Sequence, residues 1–87
     1  MNTFCLTVST PDGNAFEGEV AMLTLRGMEG ELAIMAGHIP LMTPVVACDC
    51  KLTLADDTEH VTHIEGGILS VAPSEVTLLT GVFRIAL

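Results

Sequence analysis

Three groups of residues in this chain are of types that do chemistry. Cys48-Asp49-Cys50 offers two thiols, His38, His60 and His63 offer imidazoles, and Glu29-Gly30-Glu31 with Asp56-Asp57 offer carboxylates. The two thiols stand two residues apart on what reads as a strand, so they share a face at roughly 6 to 7 Å separation. Structural zinc takes four ligands and usually spaces a Cys pair by two residues. No second Cys pair exists here. Val46, Leu52 and Leu54 fall on the same face, so Cys48 and Cys50 are expected in the core as small hydrophobes. Cys5 stands alone and is expected half-buried.

The imidazoles fare no better as a set. His60 and His63 are three apart on a strand, hence on opposite faces, and cannot chelate one ion. Every Ser and Asp lies in a strand or turn without the sharp strand-to-helix elbow that presents a nucleophile. Calcium loops need a longer alternation of carboxylates closed by a bidentate one, which neither acidic loop has. Gly66-Gly67 enters a strand rather than a helix N-terminus, so it reads as a bulge or tight turn and not a phosphate cradle. The expectation is a chain with no active site, no metal and no cofactor.

The elements carrying these residues read as strands. Phe4, Leu6 and Val8 alternate with Thr3, Cys5, Thr7 and Ser9 at a period of two. Pro11-Asp12-Gly13 makes a turn, because Pro presets φ and Gly tolerates its positive values. Strands follow at 19–26 and 31–35, separated by Gly27-Met28-Glu29-Gly30. Residues 36–40 read as a loop, and Pro44 limits what comes after it. The pattern resumes at 46–54, turns at Asp56-Asp57, and continues through 59–64, 68–72, 76–80 and 82–86. Short strands with frequent turn signals and no helical period predict an all-β antiparallel sandwich or flattened barrel, a single domain over residues 1–87.

Composition narrows the function. Acidic residues outnumber Lys and Arg by 11 to 3, for a net charge of −8. Nucleic-acid binding needs a basic stripe, and docking on anionic lipid needs basic clusters; Arg26, Lys51 and Arg84 form neither. The longest stretch without charged residues, 32–48, contains Gly37, Pro40 and Pro44, so it is not a spanning helix of roughly 20 residues. No basic and apolar leader opens the sequence, and three cysteines suit a reducing compartment. Forty-nine percent of the residues are apolar. That is more than the inner faces of so small a sandwich hold, so a contiguous apolar patch is expected outside, as partner surface.

The segment 27–44 is specific. Met28-Glu29-Gly30-Glu31-Leu32-Ala33-Ile34 running into Gly37-His38-Ile39-Pro40-Leu41 resembles the ε subunit of the F-type ATP synthase. Val8-Ser9-Thr10-Pro11-Asp12-Gly13, Phe16-Glu17-Gly18-Glu19-Val20, Gly66-Gly67-Ile68-Leu69-Ser70-Val71 and Val76-Thr77-Leu78-Leu79 match the same family in order and spacing. Ala33 stands where the family usually has Gly, and Ala36 where it has Pro. The resemblance implies a β-sandwich of about ten strands on the rotor of a membrane-bound complex, at the cytoplasmic face of a bacterial cell membrane. It implies a non-catalytic part that links the γ subunit to the c-ring and couples ion flow to ATP synthesis. By the family's contacts, Glu29, Glu31, His38, Ile39, Pro40 and Leu41 would form the interface, with Glu31 toward the c-ring and His38 near γ. The family continues into a helical hairpin that carries inhibition and, in some members, nucleotide binding. The sequence stops at Leu87, so nucleotide binding is not expected of it. The competing reading from the residues alone is a free-standing small β-barrel adaptor or ligand-binding protein.

Overall fold

The computed structural model describes residues 2–84. Eight strands follow one another: β1 (Phe4–Thr10), β2 (Gly13–Gly27), β3 (Gly30–Met35), β4 (Leu41–Val45), β5 (Cys48–Leu54), β6 (Glu59–Ile64), β7 (Gly67–Val71) and β8 (Glu75–Thr80). The order across the sheet is β1-β8-β7-β4-β2-β5-β6, with β3 added on β2, and β1 also pairs with β2. Five strands therefore close on themselves, while β5, β6 and β3 extend from the long strand. No helix among the described residues is long and apolar enough to cross a membrane.

β2 makes this closure possible. Its first half pairs antiparallel with β1, from Phe4 opposite Val20 to Thr10 opposite Gly13. Its second half lies between β3 and β5, with Leu23 opposite both Ile34 and Leu52. The register to β5 slips between Val20 and Met22, leaving Ala21 as an extra residue. Such a bulge bends a strand and raises its twist. It also resets which parity faces inward: Val20 is buried before it, Leu23 and Leu25 after it. A second slip falls between Val8 and Ser9.

The interior is apolar. Leu6, Val8, Val20, Leu23, Ile34, Cys50, Leu52, Leu69 and Leu78 are fully enclosed, with Phe16, Ile64, Val76 and Phe83 around them. Cys48 and Leu54 pack against this core from partly buried positions. The expected face of Cys48, Cys50, Leu52 and Leu54 is thus the inner one. Val46 is not part of it: it precedes β5, stays on the surface, and donates its N–H to the Arg26 carbonyl at 3.0 Å.

Other expectations change. β1 and β8 run parallel, Cys5 opposite Glu75, so the barrel is not antiparallel throughout. Residues 41–45, assigned to no strand because of Pro44, form β4 and pair with β7. The strand expected at 82–86 does not form at Val82, Phe83 or Arg84, and its last two residues lie outside the described ones. Eight strands, not ten, are found among the described residues.

Gly66 and Gly67 serve as punctuation. Gly66 has φ of 111°, and a Cβ there would stand 2.8 Å from the Val45 carbonyl. Its own carbonyl accepts a bond from the Thr80 hydroxyl at 2.7 Å. Gly67 lets β7 approach the Leu79 backbone more closely than a side chain allows.

Candidate functional site

Glu29 and Glu31 sit on and beside the two-residue turn that joins β2 to β3, where Gly27 pairs with Gly30. Gly30 has φ of 129°, which lets so tight a turn close. Beside this turn β4 meets β2 at one residue pair only, Gly27 with Val45. The strands β3 and β4 diverge from there and leave a cleft of about 450 Å³. Glu29, Glu31, Leu32, Leu41, Thr43 and Pro44 are among its walls. Both carboxylates are exposed, and Glu31 stands across the hairpin from Arg26.

Three of the six expected interface residues, Glu29, Glu31 and Leu41, therefore meet in one cleft. His38, Ile39 and Pro40 do not line it. They form the connection from β3 to β4, which begins with a turn: the His38 N–H donates to the Met35 carbonyl at 3.1 Å, across Gly37 with φ of 83°. A positive φ at the third position is what a type II turn requires, so the turn forms with Ala36 where the related pattern has Pro. His38 is half-buried, with Nδ1 2.7 Å from the Ile39 carbonyl. A ring nitrogen bonded to a carbonyl must carry the proton. Ile39 is 78% exposed.

A second surface was not assembled from the sequence. On the outer side of the closed barrel, Met42, Ser70, Thr77 and Thr7 lie side by side on β4, β7, β8 and β1. Next to them run Pro44, Ile68, Leu79 and Ser9. None of these eight residues is charged on a chain of net charge −8. Met42 is 74% exposed, and Ile68 and Leu79 are about half exposed. Half of these residues are apolar and half are Ser or Thr, so the face is an uncharged surface with an apolar part rather than a wholly apolar patch. Its location stayed hidden because 41–45 did not read as a strand.

The chemically suggestive side chains are dispersed. Cys50 is enclosed, and burial, helped by the neighbouring Cys48, pushes its thiol up to about 12. Cys48 Sγ accepts the Arg26 N–H at 3.3 Å. His63 stands between Asp49 and Glu65, at 3.2 and 3.4 Å, on the surface. Hydrogen bonds from the Thr58 hydroxyl and N–H hold the fully exposed Asp56 carboxyl below its usual range. Among the described residues no three His, Cys, Asp or Glu side chains are grouped to hold a metal ion.

Residues 3–85 match the family described as "ATP synthase, Delta/Epsilon chain, beta-sandwich domain". The ATP synthase epsilon chain of Priestia megaterium is 43% identical over 79 residues, covering 91% of this chain and 58% of the relative. That of an Exiguobacterium species is 42% identical over the same shares. The chain thus spans little more than half the length of these relatives. Among solved structures, a chain of the Euglena gracilis mitochondrial ATP synthase superposes with a TM-score of 0.89 at 22% identity, over 98% of this chain and 54% of that one. Likeness at that identity concerns the fold, which is the barrel described above. With its motifs in order, its closed barrel and its match across nearly the whole sequence, the chain belongs to the ATP synthase delta/epsilon family and corresponds to its β-sandwich domain.

Proposed function

We propose that the chain acts as a non-catalytic rotor subunit of a membrane-bound F-type ATP synthase, linking γ to the c-ring in the central stalk and coupling ion flow to ATP synthesis. The observation that carries this reading is the outer sheet face with its two uncharged rows. Interface centres are depleted of charge, and an exposed apolar patch on a small acidic domain is a partner surface by default. The γ subunit takes the face of Met42, Pro44, Ile68 and Leu79. The c-ring meets the turn of Glu29 and Glu31 and the cleft beside it, and His38 lies near γ, with Ile39, Pro40 and Leu41 completing the interface. The domain sits at the cytoplasmic face of a bacterial cell membrane through the complex, without inserting.

The test is assembly. Ile68→Lys with Leu79→Glu places two charges on the uncharged face as an opposite-sign cross-strand pair, at exposed positions where substitutions change stability by about 0.5 kcal/mol or less. The variant should melt as the native chain does and fail to co-purify with γ and the c-ring. Undiminished co-purification would overturn the assignment of this face.

A further inference from the structure

β6 is the last strand on its side of the sheet: it pairs with β5 and with no other strand among the described residues. Natural sheets blunt such edges with lysines, prolines or bulges, because an unpaired row of N–H and C=O groups templates another strand. β6, with the sequence Glu59-His60-Val61-Thr62-His63-Ile64, has none of these, and its register to β5 is unbroken.

The direction of its free groups follows from the turn. The Leu54 N–H donates to the Thr58 carbonyl at 2.8 Å. Bonded pairs then recur every second residue in an antiparallel ladder, at Leu52 with His60, Cys50 with Thr62 and Cys48 with Ile64. The backbone groups of Glu59, Val61 and His63 accordingly point away from β5. Val61, at the centre, is 61% exposed.

We propose that the free edge of β6 pairs antiparallel with β6 of a second copy of this chain, centred on Val61. In that register Val61 faces Val61 across the two-fold axis. Glu59 of each copy faces His63 of the other, an acceptor against an imidazole. Within β6 this register opposes no like charges, Asp57 and Glu65 lying beyond the paired strands. Sliding the strands by two residues one way brings Glu59 opposite Glu65, a like-charge pair that destabilises a sheet. Sliding the other way sets Glu59 opposite Val61 and runs the turn residue Asp57, with φ of 72°, into the ladder. Inside one copy Glu59 forms an ion pair with Lys51, at 3.8 Å, and His63 meets Asp49 and Glu65. The edge shares no residue with the cleft or with the uncharged outer face, so self-pairing is separable from the rotor contacts.

Six residues of strand make a small contact relative to a permanent interface, and each chain carries net charge −8. The association is therefore weak, and is read by sedimentation velocity of the 87-residue chain from micromolar to millimolar concentration, at salt sufficient to screen that charge. A monomer–dimer equilibrium is expected. Val61→Pro removes only an outward N–H, which an edge strand tolerates, and should leave a folded monomer. Two further variants guard against a proline that fails to fold. Glu59→Lys and His63→Glu should each be monomeric, yet dimerise when mixed. In the mixed pair the introduced lysine faces the introduced glutamate, and the remaining His63 of one copy faces the remaining Glu59 of the other. Native mass spectrometry resolves that mixed dimer by mass. A native chain that stays monomeric at millimolar concentration overturns the proposal. So does a dimer that survives folded Val61→Pro, or one that the mixture fails to restore.

Discussion

Gly67 lies against the backbone carbonyl of Leu79 with no room for a Cβ between them. The contact joins β7 to β8 within the closed barrel, and both sides of it are backbone, so neither yields as a flexible side chain would.

Gly67→Ala should therefore destabilise by about 3 kcal/mol, the upper range for forcing atoms into a packed site. Urea denaturation measures it: the midpoint should fall while the slope is unchanged. A loss under about 0.5 kcal/mol, the ordinary scatter of a surface substitution, would mean that the strands part at little cost.

Thr53 presents the opposite case. Its side chain is buried, and its hydroxyl has no hydrogen-bond partner. Thr53→Val removes the unpaired hydroxyl at nearly constant shape and keeps a β-branched residue in the strand. The variant should gain about 1 kcal/mol, which in a domain of this size raises the melting temperature by about 4–8 °C.

Stability should also fall on the alkaline side. The Cys50 thiol titrates at about 12 in the folded chain against 9.0 for a free thiol. Its folded value is raised, so its contribution is fully present below pH 9 and is lost as pH rises toward 12. Between those limits the unfolded chain has released a proton that the folded one keeps, and stability falls by at most about 1.4 kcal/mol per pH unit from this group. Cys50→Ala should remove this part of the decline, as chemical denaturation at a series of pH values from neutral to alkaline would reveal. At neutral pH, native Cys50 should resist alkylation until the chain unfolds.

For the proposed coupling surface, Glu31→Gln and His38→Ala are the informative changes. Glu31→Lys would set a second cation across the hairpin from Arg26, confusing fold with function. Both chosen variants should melt within a few degrees of the native chain, yet lower ATP-driven ion pumping in membranes carrying the assembled complex. Normal pumping and assembly in both would remove these residues from the coupling surface.

What the sequence reveals follows from which signals are local. β5 was legible because Cys48, Cys50, Leu52 and Leu54 alternate without interruption. β4 was not, because Pro44 reads as a breaker. Pro44 pairs with Ile68 of β7 and also lines the cleft on the side of β4 away from β7, where a missing donor costs nothing. With β4 hidden, Met42 and Pro44 could not be aligned with Ile68 and Leu79, so half of the candidate surface stayed out of view. The bulge at Ala21 is equally silent: nothing in residues 19–26 announces that inward parity changes there. Only the strand across from it, with Leu54 and Thr53 meeting Val20 and Met22, makes the slip visible. The carboxylates fared better, since Gly27 and Gly30 mark their turn directly.

The parallel pairing of β1 with β8 has a consequence for how the chain is made. Cys5 emerges from the ribosome long before Glu75, its partner in the ladder. The β1–β2 hairpin can form during synthesis, but the ring must wait for the strand that completes it. Until then β1 carries an open edge, with Leu6 and Val8 poorly covered. Pairings between such distant residues form slowly because loop closure precedes their reward. A nascent chain halted before β8 should thus remain protease-sensitive and chaperone-bound, and become resistant in a single step once Thr80 has cleared the exit tunnel.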